Sequence, residues 1–309
     1  MLSNSVRILN FDDSLTKQSN LLDRFKPQVL DLRKSAFFVR LWMNKRDAGD
    51  LRKFLSAQQK NHVTFLGSGD FHHISGQLIE QFREPISVIL FDNHPDWDCL
   101  PPHLGCGSWV SYILRKPNVK EVVIFGVSSD DISVPWIQTA NLDALKSGRV
   151  RVYPYCHGPT RVFFKHGFKN PSIETKKSLF SEIIHWHQLK GKDFRQFIPS
   201  VLNGLSTKKV YVSIDKDCLK AQHALTNWEE GAIHLNELTA ALRWIKDNLD
   251  IVGLDITGEY SKPKIKGMVK NICSRFDHPR DYSAKDKVIK FIEDTNEHTN
   301  IQLLEALLY

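Results

Sequence analysis

Residues 87–98 read S-V-I-L-F-D-N-H-P-D-W-D. The first half has the near-continuous apolarity and the Val/Ile content of a strand covered on both faces, as in a parallel sheet. The second half sets Asp92, His94 and Asp96 at alternate positions, which an extended chain projects to one side. Carboxylates joined by an imidazole suit a hard or borderline divalent ion such as Mn²⁺, Fe²⁺ or Zn²⁺. Acids gathered at the end of an apolar strand are costly unless cations or donors compensate them. The rival reading is a polar loop with capping aspartates.

Working outward, apolar runs of strand type recur at 62–66 (HVTFL), 121–127 (EVVIFGV), 150–155, 209–214 (KVYVSI) and 251–256 (IVGLDI). Amphipathic stretches between them predict helices over 47–59, 75–82, 108–115, 178–187 and 236–248, the last with Asn236 as its cap. The tail predicts two more, over 285–293 and 301–308. Strands alternating with helices indicate an α/β sheet with mostly parallel strands. The chain reads as one domain over 1–309, with 156–206 the least regular part, either an insertion or a pair of helices.

Three more polar clusters follow predicted strands, at the edge where parallel sheets bind ligands. Ser213-Ile214-Asp215-Lys216-Asp217 places two carboxylates close together, which shifts their pKa values unless a cation lies between them. Gly67-Ser68-Gly69-Asp70-Phe71-His72-His73 offers one of two histidines as a further ligand, with Asp70 placed to orient it. Asp255-Ile256-Thr257-Gly258-Glu259 offers Asp255 as a supporting acid and Glu259 as a group facing a cationic substrate.

The order of these motifs resembles the ureohydrolase (arginase/agmatinase) superfamily, whose metal-dependent core is related to that of histone deacetylases. Its Gly-Gly-Asp-His, Asp-x-His-x-Asp, Ser-x-Asp-x-Asp and Asp-x-x-Glu elements are matched in order by GSGDFHH, DNHPD, SIDKD and DITGE, over roughly residues 62 to 260. The resemblance implies a three-layer α/β/α fold and a site for two Mn²⁺ ions, Zn²⁺ or Fe²⁺ being the other candidates. Asp92 and Asp215 would bridge the ions, His72 and Asp96 would complete one, and His94 and Asp217 the other. It further implies hydrolysis of a C–N bond in a guanidino or related amide-like compound by metal-bound hydroxide, with Asp217 accepting a proton. The chain also departs from the family. Cys106 stands where a proton-relay histidine is usual, with His103 three residues upstream; Phe71 precedes the ligand histidine; Gly258 stands where the last motif carries Glu; and no Pro follows SIDKD. The stretch 226–231 (TNWEEG) loosely resembles a loop near the family's substrate.

Two rival functions stand beside this one. One is a divergent non-catalytic or partner-binding member that keeps the metal site. The other is a deacetylase-like amidohydrolase with one Zn²⁺, against which the extra Asp96, Asp217 and His72 argue. Cys106 as a nucleophile beside His103 is a weaker rival, since nothing in the sequence lowers that thiol's pKa. Trp97 and Trp109 would wall a pocket or pack in the core, and His185-Trp186-His187 reads as packing within a helix.

Composition agrees with an enzyme of this kind. The 309 residues are 41% hydrophobic and 25% charged, enough to build a core and too ordinary for a disordered or fibrous chain. No apolar run reaches the roughly 18–20 residues of a membrane helix, and the N-terminus lacks the pattern of a signal peptide. Five cysteines without a CxxC pair argue against a disulfide framework or a structural zinc site and fit a reducing cytoplasm. The net charge of +7 is spread out, its densest stretch at 262–270 lacks aromatic residues, and nucleic acid is not an expected partner. The expected partner is a small-molecule substrate; nothing in the sequence marks an oligomer interface, and homo-oligomerisation is left open.

Overall fold

The computed structural model describes residues 5–57, 62–134, 139–164, 167–177, 179–278 and 286–309. The strands are β1 (Val6–Asn10), β2 (Gln28–Asp31), β3 (Val63–Ser68), β4 (Ile86–Phe91), β5 (Val119–Phe125), β6 (Val150–Tyr153), β7 (Thr160–Phe163), β8 (Ile173–Lys177), β9 (Ser181–Trp186), β10 (Lys209–Asp215) and β11 (Asp250–Glu259). Eight of them form one sheet in the order β2-β1-β3-β11-β10-β4-β5-β6. Every pairing in it is parallel.

Alternation along β4 shows why its apolar run is continuous. Val88 and Leu90 pack with Trp109, Val110 and Ile113 on one face, while Ile89 and Phe91 pack with Leu238, Leu242 and Ile245 on the other. Helices Lys45–Ser56, Ile74–Ile79 and Trp109–Ile113 cover the first face. Helices Phe194–Leu202, Leu235–Asn248 and Asp286–Leu308 cover the second. This is the expected three-layer α/β/α arrangement.

Several local expectations are corrected. The stretch 178–187, expected as helix, instead contains β9 (Ser181–Trp186) of a small antiparallel sheet, β7-β9-β8, and Ser178 lies outside the described residues. Trp186 is buried there, its Nε1 donating to Thr160 Oγ1 at 2.9 Å. The first long helix ends at Ser56, and part of the expected end, 58–59, lies outside the described residues. The helix expected from Asn236 begins at Leu235; His234 caps it, its backbone N–H donating to Glu237 Oε2 at 2.8 Å. The two tail helices are one, Asp286–Leu308, with Lys285 outside the described residues. Its polar middle is helical because its side chains find partners. Asn296 bonds the backbone of Leu225 in both directions, Glu297 accepts from Leu21 N at 3.1 Å, and Asn300 donates to Glu259 at 2.7 Å.

Register brings the polar clusters to one level of the sheet. Phe91 pairs with Ile214, so Asp92 leaves β4 beside Asp215 at the end of β10. Asp215 pairs with Thr257, and Thr257 with Gly67. Four neighbouring strands therefore deliver their C-terminal turns to the same edge.

Candidate metal centre

After β4 the chain is not extended. His94 N donates to Asp92 Oδ1 at 2.7 Å, closing a turn, and Asp96 takes a left-handed conformation at φ 47°, which aspartate tolerates better than most residues. The alternate residues therefore reach one cleft through a turn and not along an extended chain. They fall into two groups around Asp92: His72, Asp92 and Asp96 in one, Asp92, His94 and Asp217 in the other, each close enough to hold a single ion.

In the first group His72 Nδ1 lies 3.2 Å from Asp92 Oδ2, 3.1 Å from Asp96 Oδ2 and 3.5 Å from Asp215 Oδ2. The turn Gly69–Phe71 after β3 sets His72 there. Its Nε2 meets Ser213 Oγ at 2.9 Å, and Ser213 donates to Asp255, which also accepts from Tyr211. In the second group His94 Nδ1 lies 3.0 Å from Asp217 Oδ2 and 3.7 Å from Asp92 Oδ1. His73, the alternative ligand, is buried and stays out of both groups, its pKa lowered to about 3 by burial.

The electrostatics fit a cation-binding centre. Burial opposes charge on both histidines, yet Asp92 and Asp96 hold the His72 proton, and Asp217 the His94 proton, well above the ordinary histidine range. Burial would raise Asp92, but the two histidines keep it at about 2. Burial and then Asp92 push Asp96 up to about 7 and Asp217 to about 6. Burial and Asp217 raise Asp215 well above its usual value. Burial thus opposes so much carboxylate charge in one place, and divalent ions would offset that cost by displacing protons from the cluster. Asp92 Oδ2, buried, has no hydrogen-bond partner, and it faces the cluster. The donor set of carboxylate oxygens and imidazole nitrogens therefore fits divalent ions of the manganese type.

Over the cluster opens a cleft of about 750 Å³, walled by Trp42 and Trp228 and lined by Cys106, Cys273, Asp98, Asp130, Asp131 and Glu229. Trp97 and Trp109 are buried instead, and Trp109 Nε1 donates to Asp96 Oδ2 at 2.6 Å. Cys106 lines the cleft, whereas His103 is exposed outside it, its Nδ1 3.4 Å from an Arg115 nitrogen. Glu259 does not line the cleft. It is buried at the end of β11, in an ion pair with the fully buried Lys216, and it accepts from Gln18 at 3.0 Å and Asn300 at 2.7 Å. Gly258, at φ 90°, leaves no room for a side chain: a Cβ would lie 2.5 Å from Asp215 Oδ1.

Behind the centre, Asp70 supports the fold of the site more than it supports His72. It binds Arg40 at 2.5 Å, His278 Nε2 at 2.6 Å and Trp228 Nε1 at 3.2 Å. Sequence reasoning missed Arg40, Lys216 as a buried cation, Trp42, and the acids Asp98, Asp130 and Asp131. The last two stand just after a strand, as the recognised clusters do, and Asp98 continues the alternation of 92, 94 and 96.

Residues 48–263 match the Arginase family. The chain belongs to that family. An uncharacterised protein of Thermotoga maritima is 27% identical over 197 residues, 64% of this chain, and the match spans 58% of that relative's length. Among solved structures, an arginase from Bacillus subtilis superposes with a TM-score of 0.58 at 16% identity, covering 98% of this chain and 97% of that one. Proclavaminate amidino hydrolase from Streptomyces clavuligerus gives 0.56 at 14%, covering 100% and 94%. Formimidoylglutamase from Bacillus subtilis gives 0.56 at 11%, covering 100% and 88%. At these identities the superpositions speak for the fold, and they agree with the arginase-family sheet. No helix among the described residues is long and apolar enough to cross a membrane.

Proposed function

We propose that this arginase-family chain is a metal-dependent hydrolase of a linear C–N bond in a cationic guanidino or related amide-like compound. The observation that carries the reading is the pair of ligand groups sharing Asp92 at the base of the cleft. Asp92 and Asp215 would bridge two ions, with His72 and Asp96 on one side and His94 and Asp217 on the other. Mn²⁺ fits this oxygen-rich set best. When bound, such a pair supplies Lewis acidity and lowers the pKa of a coordinated water.

The chain's own groups set what else happens there. Asp217 Oδ1 accepts from Asn93 N at 3.1 Å, and its Oδ2 faces His94; we assign it as the proton acceptor. Cys106, which the resemblance aligns with the relay histidine, lines the cleft, whereas His103 is exposed outside it and is not placed to substitute for that relay.

Charge favours a cationic substrate. No lysine or arginine is among the described residues that line the cleft, and Asp98, Asp130, Asp131 and Glu229 add carboxylates beyond the ligand groups. Burial and then Asp131 push Asp98 up to about 7, so a positive group placed between them relieves a standing repulsion. Trp228 adds an aromatic ring for a guanidinium, worth about 0.5–2 kcal/mol, whereas Trp42 already has Lys270 Nζ 5.0 Å from its ring centroid. Five free cysteines fit a cytoplasmic enzyme.

The test is a panel of guanidino amines, guanidino acids and N-acetylated amines, incubated with the manganese-loaded chain and assayed for urea and amine release. Turnover of the cationic guanidino members, with guanidino acids poorer, supports the reading. A fully loaded chain inactive on the whole panel overturns it in favour of a binding member. Release of acetate with a single Zn²⁺ per chain overturns it in favour of a deacetylase-like enzyme.

A further inference from the structure

The two histidines of the centre are supported in different ways. His72 Nε2 rests on Ser213, Asp255 and Tyr211, all buried on β10 and β11. His94 Nε2 instead meets Glu229 Oε2 at 3.0 Å, a carboxylate whose side chain is 59% exposed and which comes from the loop after the Asp217 turn. We propose that Glu229 is the positioning residue for His94, and that this loop assembles one of the two ion positions.

The loop is tied down from both ends. Asn227 accepts from Ser261 N and donates to Ser261 O, both at 3.0 Å. Thr226 Oγ1 accepts from Trp228 N at 3.1 Å. Gly231 N donates to Asp217 O at 2.5 Å, joining the loop to the turn that carries the partner ligand. Between these anchors Trp228 sets its ring edge-on to His94, centroids 5.5 Å apart, and its Nε1 on Asp70.

An imidazole that turns Nδ1 toward a cation must carry its hydrogen on Nε2. An acceptor at Nε2 fixes that tautomer and the ring's orientation, and a carboxylate also raises the basicity of the donor nitrogen. Glu229 is so placed for His94 only. Its removal should therefore weaken the ion held by Asp92, His94 and Asp217 and spare the one beside His72. Losses at such supporting partners are typically about 10–100-fold in metal affinity.

This inference rests on the two-ion reading above, and calorimetric titration separates the two. The full chain is stripped with a chelator and titrated with MnCl₂ as wild type, Glu229→Ala, Glu229→Gln and Asp92→Ala. The expected result is two equivalents in wild type. In Glu229→Ala one equivalent should weaken 10–100-fold while the other, and the metal-free Tm, stay unchanged. Glu229→Gln keeps an acceptor oxygen and should restore most of the affinity. Two equivalents of wild-type affinity in Glu229→Ala, or equal weakening of both, overturns the role of Glu229 while leaving the two-ion reading standing. A wild type that binds no manganese, or an Asp92→Ala chain that keeps both equivalents, overturns the metal reading and this inference with it.

Discussion

Replacing Lys216 by Met tests where the acid of the last motif works. Lys216 is fully buried and the Glu259 side chain is 4% exposed, so the pair is screened by protein alone. Burial lowers the Lys216 pKa, against the pull of Glu259 beside it. Lys216→Met leaves the Glu259 carboxylate buried with only the Gln18 and Asn300 amides as donors. Breaking a buried pair from one side costs about 3–5 kcal/mol. An unfolding entropy of about 2.1 cal/mol/K per residue gives about 0.65 kcal/mol/K for 309 residues, so Tm should fall by about 5–8 °C. Glu259→Gln alone should also destabilise, by stranding the lysine. The double variant Lys216→Met/Glu259→Gln should recover at least about 2 kcal/mol of the summed losses, because no buried charge is then left alone. Scanning calorimetry of the metal-free chains reads all three. A loss below about 1 kcal/mol in Lys216→Met, or strictly additive losses in the double variant, would refute the view that Glu259 is a structural counter-ion. So would a double variant that folds with near wild-type stability but has lost substrate affinity selectively.

Other outcomes follow from the same geometry. Gly258→Ala sets a Cβ 2.5 Å from Asp215 Oδ1 at a positive φ, and should lower stability by at least about 2 kcal/mol and weaken manganese binding, read by Tm and equilibrium dialysis. Asp70 is held at about 2, burial being outweighed by Arg40 and His278; its contribution is complete above about pH 4 and is lost as pH falls toward 2, so Asp70→Asn should flatten the acid limb of unfolding followed by circular dichroism. Asp96 and Asp217 are raised to about 7 and 6, so their protonated forms stabilise the metal-free chain below about pH 4 and that stability drains away as pH rises through 6–7; Tm after chelator treatment should therefore fall between pH 5 and 8. Restoring manganese to 100 times its Kd should raise stability by about 2.7 kcal/mol and remove much of that slope; a metal-independent Tm contradicts the assignment.

Much of this molecule is legible in its sequence, and the rest is hidden for identifiable reasons. β3, β4, β10 and β11 are buried on both faces, so their apolar runs stand out, and the acids that follow them mark the site. β2 is an edge strand with largely exposed residues and carries no such run. β9 mixes Ile183, Ile184 and Trp186 with Glu182 and His185, a short pattern that fits a helix as well as a strand. The stretch 294–300 looks like a loop because it is polar, yet Asn296, Glu297 and Asn300 are buried and hydrogen-bond to distant elements. Within the site, spacing alone put Asp92, His94 and Asp96 on one side. They do meet at one cleft, but the left-handed Asp96 and the turn at Asp92 bring them there around a shared carboxylate and not along an extended strand. Glu259 looks free from its motif, and only the fold shows Lys216 beneath it.

The central claim is that Asp92 is shared by two ions at the base of the cleft. Anomalous scattering from manganese-loaded crystals, recorded for wild type and Asp92→Ala, tests it most directly. Two peaks are expected in the wild type, one among His72, Asp92, Asp96 and Asp215 and one among Asp92, His94, Asp215 and Asp217, with both lost or severely depleted in the variant. No peak between these side chains in the wild type, or two undiminished peaks in Asp92→Ala, contradicts the account.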